Sequence, residues 1–416
     1  MRTPTAIITP LNRGDNDPHL VRHLETPTCP LLVDTVHTVA IMAAGKRMRI
    51  AIDGRIAYYS SGGLRRYVVL LLQALAGLDS ETDYLVLHSR KQRSPRMPGA
   101  NFRPVRCWTP SHHPLERWAM ALEVARLRPE LLHSPDFIPP AFGYRRSVVT
   151  VQDLSFLRYP HFLTAQSRRY YNRQIRWAVA RTDHILAISK ATQRDLCSLL
   201  GVDPRKITVA YLAADPELRP PAPEEVKQLI ATYGLEQGYL LFVGTLEPRK
   251  NLPGLLEAYR ALLDRGGVDP PLVLAGRVGW LHQEVLDCVQ RLRLEKHVRV
   301  LNQVADADLA ALYAGAGVLA LPSFYEGFGL PALEAMACGT PVVAARRGAL
   351  PEVVGDAGLL VEPDDTEGMA SALEKALLDR RLRARLRQSG MKQASRFTWD
   401  RTAAKTLEVY RSVVAS

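Results

Sequence analysis

Glu326 and Glu334 stand eight residues apart on either side of a Gly-rich turn in the stretch SFYEGFGLPALEAMACGTPVV, residues 323–343. A carboxylate can accept hydrogen bonds from both hydroxyls of a diol, so two carboxylates flanking one turn suit a ligand with two diols. The preceding run GVLALP reads as a buried strand, and Pro331 suits the first turn of a helix, where its missing N–H is not needed. Gly327 and Gly329 let the backbone approach a ligand closely. The amides of Phe328, Gly329 and Leu330 are then free to face a phosphate at the positive end of that helix. Glu326 lies before the turn, within reach of sugar hydroxyls. Glu334, one turn into the helix, is placed for a ribose diol. Taken together, these residues fit a sugar nucleotide.

A second constellation is VGTLEPRKN, residues 243–251. It follows the apolar strand YLLFVG, which ends at Gly244, and precedes an amphipathic helix with Leu252, Leu255, Leu256 and Tyr259 inward. Arg249 and Lys250 fall just before that helix, where a guanidinium fork and a mobile ammonium can close over a diphosphate. An Arg–Lys pair in a loop is usually only solvated; its position after a strand gives it weight here. A third strand, PLVLAG, ends at Gly276 and Arg277.

These loops must be carried by strands that alternate with helices, and such alternation runs along most of the chain. It predicts an α/β fold with parallel sheets covered on both faces. The first domain is expected over residues 48–215. It opens with the strand MRIAIDG and the loop SSGGLRRY, in which Ser60, Ser61, Gly62 and Gly63 lead into a helix. Four prolines within residues 216–223 mark a linker. The second domain is expected over 216–395, and a last helix over 396–416. Residues 1–47 have no helical or strand periodicity and are expected to be disordered or loosely packed. Translation is expected to start at Met48 or Met42, which mass spectrometry of the native N-terminus would test.

The string EGFGLPALE resembles the signature of the retaining glycosyltransferases of family 4, the group 1 glycosyl transferases, and mannosyltransferase-like members in particular. The resemblance extends to VGTLEPRKN and to VQDLSFLRYP, residues 151–160, and begins at Met48. It implies the GT-B architecture, two Rossmann-like doubly wound domains facing across a cleft, with the last helix crossing back to the first. It also implies that Arg249 and Lys250 grip the leaving diphosphate, that Glu326 holds the donor sugar, and that Glu334 holds the ribose. Gly62, Gly63, Gly244, Gly276, Arg277, Phe328, Gly329 and Leu330 would line the donor site. Asp153 fits the family pattern, but Gln152 stands where many members carry a histidine that bonds the transferred sugar. Gln can donate and accept hydrogen bonds yet cannot carry a proton. His133, after another apolar strand, is a candidate to compensate, although a lone histidine at a strand end is more often structural. Ser189 and Thr192 read more readily as a helix cap than as a contact.

In this family the acceptor attacks the face from which the diphosphate leaves, and a donor phosphate oxygen takes its proton. No protein nucleophile, cofactor or metal is therefore expected. The triplet DAD at Asp306–Asp308 reads as the acidic start of a helix rather than a divalent-ion site. The implied reaction moves a sugar from a nucleotide donor, GDP-mannose first and a UDP-sugar next, to a glycan or lipid-linked acceptor. Two other classes stay open: a sugar-nucleotide-binding subunit without turnover, and an epimerase or phosphorylase on the same architecture. Nucleoside diphosphate release separates them.

Composition narrows the setting. No run of 18 apolar residues suggests a membrane-spanning helix, and five scattered cysteines without CxxC pairs suggest a reduced, cytoplasmic protein without structural zinc. The basic excess is concentrated. Residues 48–215 carry 25 Lys and Arg against 13 Asp and Glu, whereas residues 216–416 carry 24 against 25. Two helix-like stretches, RWAMALEVARLR and SRRYYNRQIRWAVAR, place Trp118, Trp177, Tyr170 and Tyr171 among arginines. That pattern fits peripheral contact with anionic lipid at the inner face of the cell membrane. The competing reading is core aromatics on arginine-rich helices. Nucleic acid is not expected, since none of the usual binding motifs is present.

Overall fold

Short runs of Ile, Val, Leu and Ala, buried on both faces, form parallel strands, because helical crossovers cover both sides of such sheets. The computed structural model describes residues 47–59, 62–277, 279 and 282–416. The expectations for residues 1–46, and for Ser60 and Ser61, lie outside the described residues. Within Arg47–Ser416, which form one unit, there are two sheets.

The first sheet contains β1 (Arg49–Asp53), β2 (Asp83–Ser89), β3 (Phe102–Cys107), β4 (Leu131–Ser134), β5 (Arg146–Val151), β6 (His184–Ala187) and β7 (Ile207–Val209). Their order is β3-β2-β1-β4-β5-β6-β7, all parallel. The second contains β8 (Leu240–Val243), β9 (Leu272–Ala275), β10 (Val298–Leu301), β11 (Val318–Leu321), β12 (Val342–Ala345) and β13 (Leu359–Val361). These run β10-β9-β8-β11-β12-β13, again all parallel. Each order reverses direction once, at β1/β4 in the first sheet and at β8/β11 in the second. Diverging crossovers leave a crevice at the carboxyl ends of the strands there, which is where open α/β sheets bind ligands.

The final helix, Trp399–Ala415, packs on helix Gly63–Leu78 and against β4, β5 and β6. Thr398 caps it by accepting from the Arg401 amide, and Trp399 Nε1 donates to the Ala214 carbonyl at 3.1 Å. This helix decides the role of His133. The ring is fully buried, bonded through Nδ1 to the Tyr410 hydroxyl at 2.6 Å and through Nε2 to Thr150 at 2.8 Å. Burial lowers its pKa to about 3, so it stays neutral at physiological pH. His133 therefore has the structural role favoured for it and does not compensate for Gln152: it is a core residue locking the last helix to the first sheet.

The two basic aromatic stretches also part company. In helix Ala165–Arg181, Tyr170 and Tyr171 pack against a core containing Phe137, Phe156 and Ile175. Trp177 is covered by the guanidinium groups of Arg117, 3.7 Å from its ring centroid, and Arg181. These aromatics are committed to packing, not to a membrane. Helix Glu116–Ala125 behaves otherwise. It buries Arg117, Met120, Ala121 and Val124 and leaves Leu115, Trp118 and Leu122 each more than 60% exposed, at 63%, 62% and 62%. Phe142 stands beside Trp118, and Trp108, also exposed, is covered on one face by Arg90.

Candidate active site

Lys250, Arg249 and Glu326 meet at the β8/β11 switch point. The loop after β8 makes a 3-10 turn at Pro248–Lys250, and Asn251 then adopts φ 54°, the left-handed region that Asn tolerates better than most residues. The Asn251 amide group donates to the carbonyls of Pro322 and Pro363 at 3.3 and 2.8 Å. Phe324 N donates to the Arg249 carbonyl at 2.9 Å. The loops after β8 and β11 are thus tied together, which brings Lys250 and Glu326 side by side.

Lys250 Nζ donates to Glu326 Oε1 at 2.6 Å, and Ser323 Oγ donates to the same oxygen at 2.6 Å. Arg249 Nη1 donates to Glu326 Oε2 at 3.3 Å and to the Tyr325 carbonyl at 2.8 Å, while its Nη2 donates to Glu247 Oε1 at 2.6 Å. Burial alone would raise the pKa of Glu326; Lys250 and Arg249 and the hydrogen bonds from Lys250 and Ser323 outweigh it and hold the carboxyl at about 2. Because this pKa is depressed, the stabilisation is present above the ordinary carboxylate range and is lost only as pH falls toward 2. Two cations and two carboxylates, Glu326 and Glu247, form a preorganised clamp. An incoming diphosphate would meet fixed charge with little reorganisation.

Glycines bring other backbone close. Gly244 and Gly276 both have φ 152°, and a Cβ on Gly276 would lie 1.9 Å from the Gly244 carbonyl oxygen. Side chains are excluded there by conformation and by space. The Arg277 side chain is exposed, and its carbonyl accepts from Leu246 N, bracing the loop before Arg249. Gly329 (φ 99°) caps helix Leu330–Ala337, which has Pro331 in its first turn as expected. The Phe328 ring is buried against Tyr211 and Phe397, so the turn is anchored by its own side chain. Leu330 lies beside Gly63, at the start of helix Gly63–Leu78, with Gly62 at its N-cap.

Across the cleft, a Cβ on Gly327 would lie 2.2 Å from the Gln152 carbonyl oxygen and 2.6 Å from Asp153 Cβ. Gln152 and Asp153 therefore sit directly against the turn after Glu326. Gln152 Nε2 donates to the Pro135 carbonyl at 3.3 Å. Asp153 Oδ1 accepts from the Ser155 amide at 2.9 Å and hydroxyl at 2.7 Å, a local turn bond. Its charge nevertheless helps to raise the pKa of Arg249, after burial, which opposes the shift, and Glu326. Ser189 caps helix Lys190–Leu200 by accepting from Thr192 N, the structural role favoured for it.

Glu334 is tied to the first domain: its Oε1 accepts from Arg66 Nη1 at 2.6 Å and its Oε2 from the Tyr313 hydroxyl at 2.8 Å, which leaves each oxygen one further acceptor site. Arg66 also reaches Asp306 at 3.1 Å, and Asp308 accepts from Tyr233. The DAD triplet forms a 3-10 turn running into helix Leu309–Gly315. Arg66, Tyr313 and Glu247 escaped the sequence reading. Arg66 is separated from Glu334 by 268 positions, and no local pattern links them.

Residues 230–393 match the family described as Glycosyl transferases group 1, and residues 61–218 match that described as Glycosyltransferase Family 4. The chain is 36% identical over 282 residues to the O-antigen chain mannosyltransferase B of Escherichia coli, covering 68% of this chain and 74% of that protein. It is 37% identical over 256 residues to a D-inositol 3-phosphate glycosyltransferase of Salinispora arenicola, covering 57% of this chain and 56% of that protein. Among solved structures, sucrose-phosphate synthase from Thermosynechococcus elongatus superposes with a TM-score of 0.73 at 22% identity, over 89% of this chain and 100% of that one.

Proposed function

The chain belongs to the group 1 glycosyl transferases and has their two-sheet GT-B fold, and from that premise we propose that it transfers mannose from GDP-mannose to a glycan or lipid-linked acceptor with retention of configuration. The observation that carries this reading is the clamp of Lys250, Arg249 and Glu326 at the β8/β11 switch point, with the Gln152 backbone against the adjoining Gly327. Lys250 and Arg249 take the negative charge that grows on the β-phosphate as the glycosidic bond breaks. Glu326, kept ionised by both cations, orients the sugar hydroxyls. The helix beginning at Leu330 offers its amides to the phosphate, and Glu334 exchanges Arg66 for the ribose. The basic pair does the work of a metal ion, so the reaction needs none. Mannose is favoured because the Escherichia coli relative is named a mannosyltransferase; a UDP-sugar is the next donor to try.

The test is release of nucleoside diphosphate with a panel of GDP-, UDP- and ADP-sugars, with the anomeric configuration of the product read by proton NMR. GDP-mannose is expected to turn over in excess EDTA and to yield the α-anomer. Activity that vanished on chelation and returned with Mg or Mn would overturn metal independence. Binding without release with any acceptor would favour a sugar-nucleotide-binding subunit.

The first domain is proposed to rest on anionic membrane through helix Glu116–Ala125. Leu115, Trp118 and Leu122 supply exposed apolar anchors within the arginine-rich domain, a combination that suits the headgroup boundary. Among the described residues no helix is long and apolar enough to cross a membrane. The protein is expected to co-sediment with phosphatidylglycerol vesicles and not with phosphatidylcholine alone. The double variant Trp118→Ser, Leu122→Ser should lose most of that binding; full retention would remove this face from consideration.

A further inference from the structure

The loop that carries Glu326 is gripped by the first domain on both sides of that residue. The Tyr159 hydroxyl donates to the Phe324 carbonyl at 3.0 Å, and the Tyr159 ring lies beside those of Phe324 and Tyr325. The Tyr325 hydroxyl donates to Asp195 Oδ2. Beyond Glu326, Gly327 abuts the Gln152 carbonyl oxygen. The bond from Tyr325 is built into the interior, since Tyr325 and Asp195 are both buried. Arg158 Nε donates to the other oxygen, Asp195 Oδ1, at 3.0 Å. The carboxylate is thus balanced by a cation of its own domain and keeps one oxygen for the phenol, in a charge-assisted bond stronger than one between neutral groups. Asp195 belongs to helix Lys190–Leu200, whose first turn also meets the second domain: Glu352 accepts from the Lys190 and Ala191 amides at 3.0 and 2.8 Å. An anion at that positive helix end favours docking. About one turn further along, Asp195 meets Tyr325.

We propose that Asp195 is a positioning residue for the transfer step, acting through Tyr325 on Glu326. The proposal rests on the glycosyltransferase reading above. Tyr325 has two attachments that point in opposite directions. Its hydroxyl is fixed on the first domain, and its backbone carbonyl accepts from Arg249 Nη1 at 2.8 Å, inside the donor clamp of the second. Glu326 follows it directly in the chain, so the setting of the Tyr325 side chain fixes where the next carboxylate lies. Groups that orient a reacting sugar must be held to within about 0.5 Å, and the Asp195–Tyr325 bond supplies part of that restraint from the domain opposite. Docking of helix Lys190–Leu200 thereby sets the geometry of Glu326. Binding of the diphosphate depends on it less, because Lys250, Arg249 with its second partner Glu247, and the amides at Leu330 all belong to the second domain.

Steady-state kinetics on Tyr325→Phe, Asp195→Ala and the double variant provide the test, with whichever of GDP-mannose and UDP-glucose the wild type turns over and calorimetric titration of the matching nucleoside diphosphate. Tyr325→Phe keeps the ring and removes only the hydroxyl. Its kcat is expected to fall about 10-fold, part of the roughly 10²-fold that a displacement near 1 Å can cost, while diphosphate affinity stays within about 3-fold of the wild type. Asp195→Ala should lower kcat at least as far. The double variant should lose no more than Asp195→Ala does, because the two groups act along one path. A role for Asp195 in folding alone would lower the melting temperature and leave the kcat of folded enzyme unchanged. Full kcat in Tyr325→Phe, losses that multiply in the double variant, or a diphosphate affinity that falls in step with kcat would overturn the proposal. Tyr325→Phe decides the matter by itself if Asp195→Ala does not fold. A wild type that releases no nucleoside diphosphate from either donor would overturn the glycosyltransferase reading, and this proposal with it.

Discussion

Lys250→Ala is expected to lower kcat/KM by about 10²- to 10³-fold, the scale of removing one preorganised donor from a developing oxyanion. Lys250 is 7% exposed and makes the shortest contact with Glu326 among the two cations. Its loss would remove charge from the diphosphate and leave a buried carboxylate short of a partner. Arg249→Ala should be of similar size, since Arg249 also ties Glu247 to the Tyr325 carbonyl. Glu326→Gln tests the opposite sign. It preserves shape but removes the carboxylate from Lys250 and one of the two from Arg249, so nucleoside diphosphate should bind as tightly as before or tighter. Turnover should fall by about 10- to 100-fold, through loss of charge-assisted bonds to the sugar. Steady-state kinetics with calorimetric titration of the diphosphate checks both halves. A Glu326→Gln enzyme with full turnover, or one that lost diphosphate affinity, would contradict the division of roles.

The second large effect is expected at Gly327. Its φ is not in the left-handed region, so an alanine there is excluded by proximity and not by backbone strain. The added methyl would sit 2.2 Å from the Gln152 carbonyl oxygen, which only a movement of the loop or of one sheet relative to the other can relieve. A displacement near 1 Å at reacting groups can cost about 10²-fold in rate, and overpacking typically costs about 1 to 3 kcal/mol in stability. Gly327→Ala should therefore cut kcat by about 10²-fold while leaving nucleoside diphosphate affinity nearly intact, because the clamp belongs to the second sheet. Gly329→Ala makes a useful contrast. There the left-handed φ of 99° and the approach of Leu350 would disturb the helix start itself, and diphosphate affinity should fall as well.

Legibility in the sequence followed locality. Arg249, Lys250, Glu326 and the glycines around them could be read because each lies within a few residues of the end of its own strand, where a loop must deliver it to the crevice. The alternation of strands and helices likewise carried the two-sheet fold. Pairings across the cleft were silent. Arg66 on Glu334 and Tyr325 on Asp195 join distant segments with no shared period, and they exist because both sheets close on one another. His133 could be read as structural, but its partner could not be named, because Tyr410 is supplied by the last helix 277 positions away. The two basic aromatic stretches had equal claims by spacing alone; packing buried the tyrosines of one and left Trp118 and Leu122 of the other exposed.

A crystal structure of the chain with GDP and, in a second crystal, GDP-mannose would locate the donor on these residues. β-Phosphate oxygens are expected within hydrogen-bonding distance of Lys250 Nζ and the Arg249 guanidinium, with the ribose on Glu334 in place of Arg66, the mannose hydroxyls on Glu326, and no metal ion between phosphate and protein. A diphosphate bound away from Lys250 and Arg249, with both still satisfied by Glu326 and Glu247 alone, would contradict this placement.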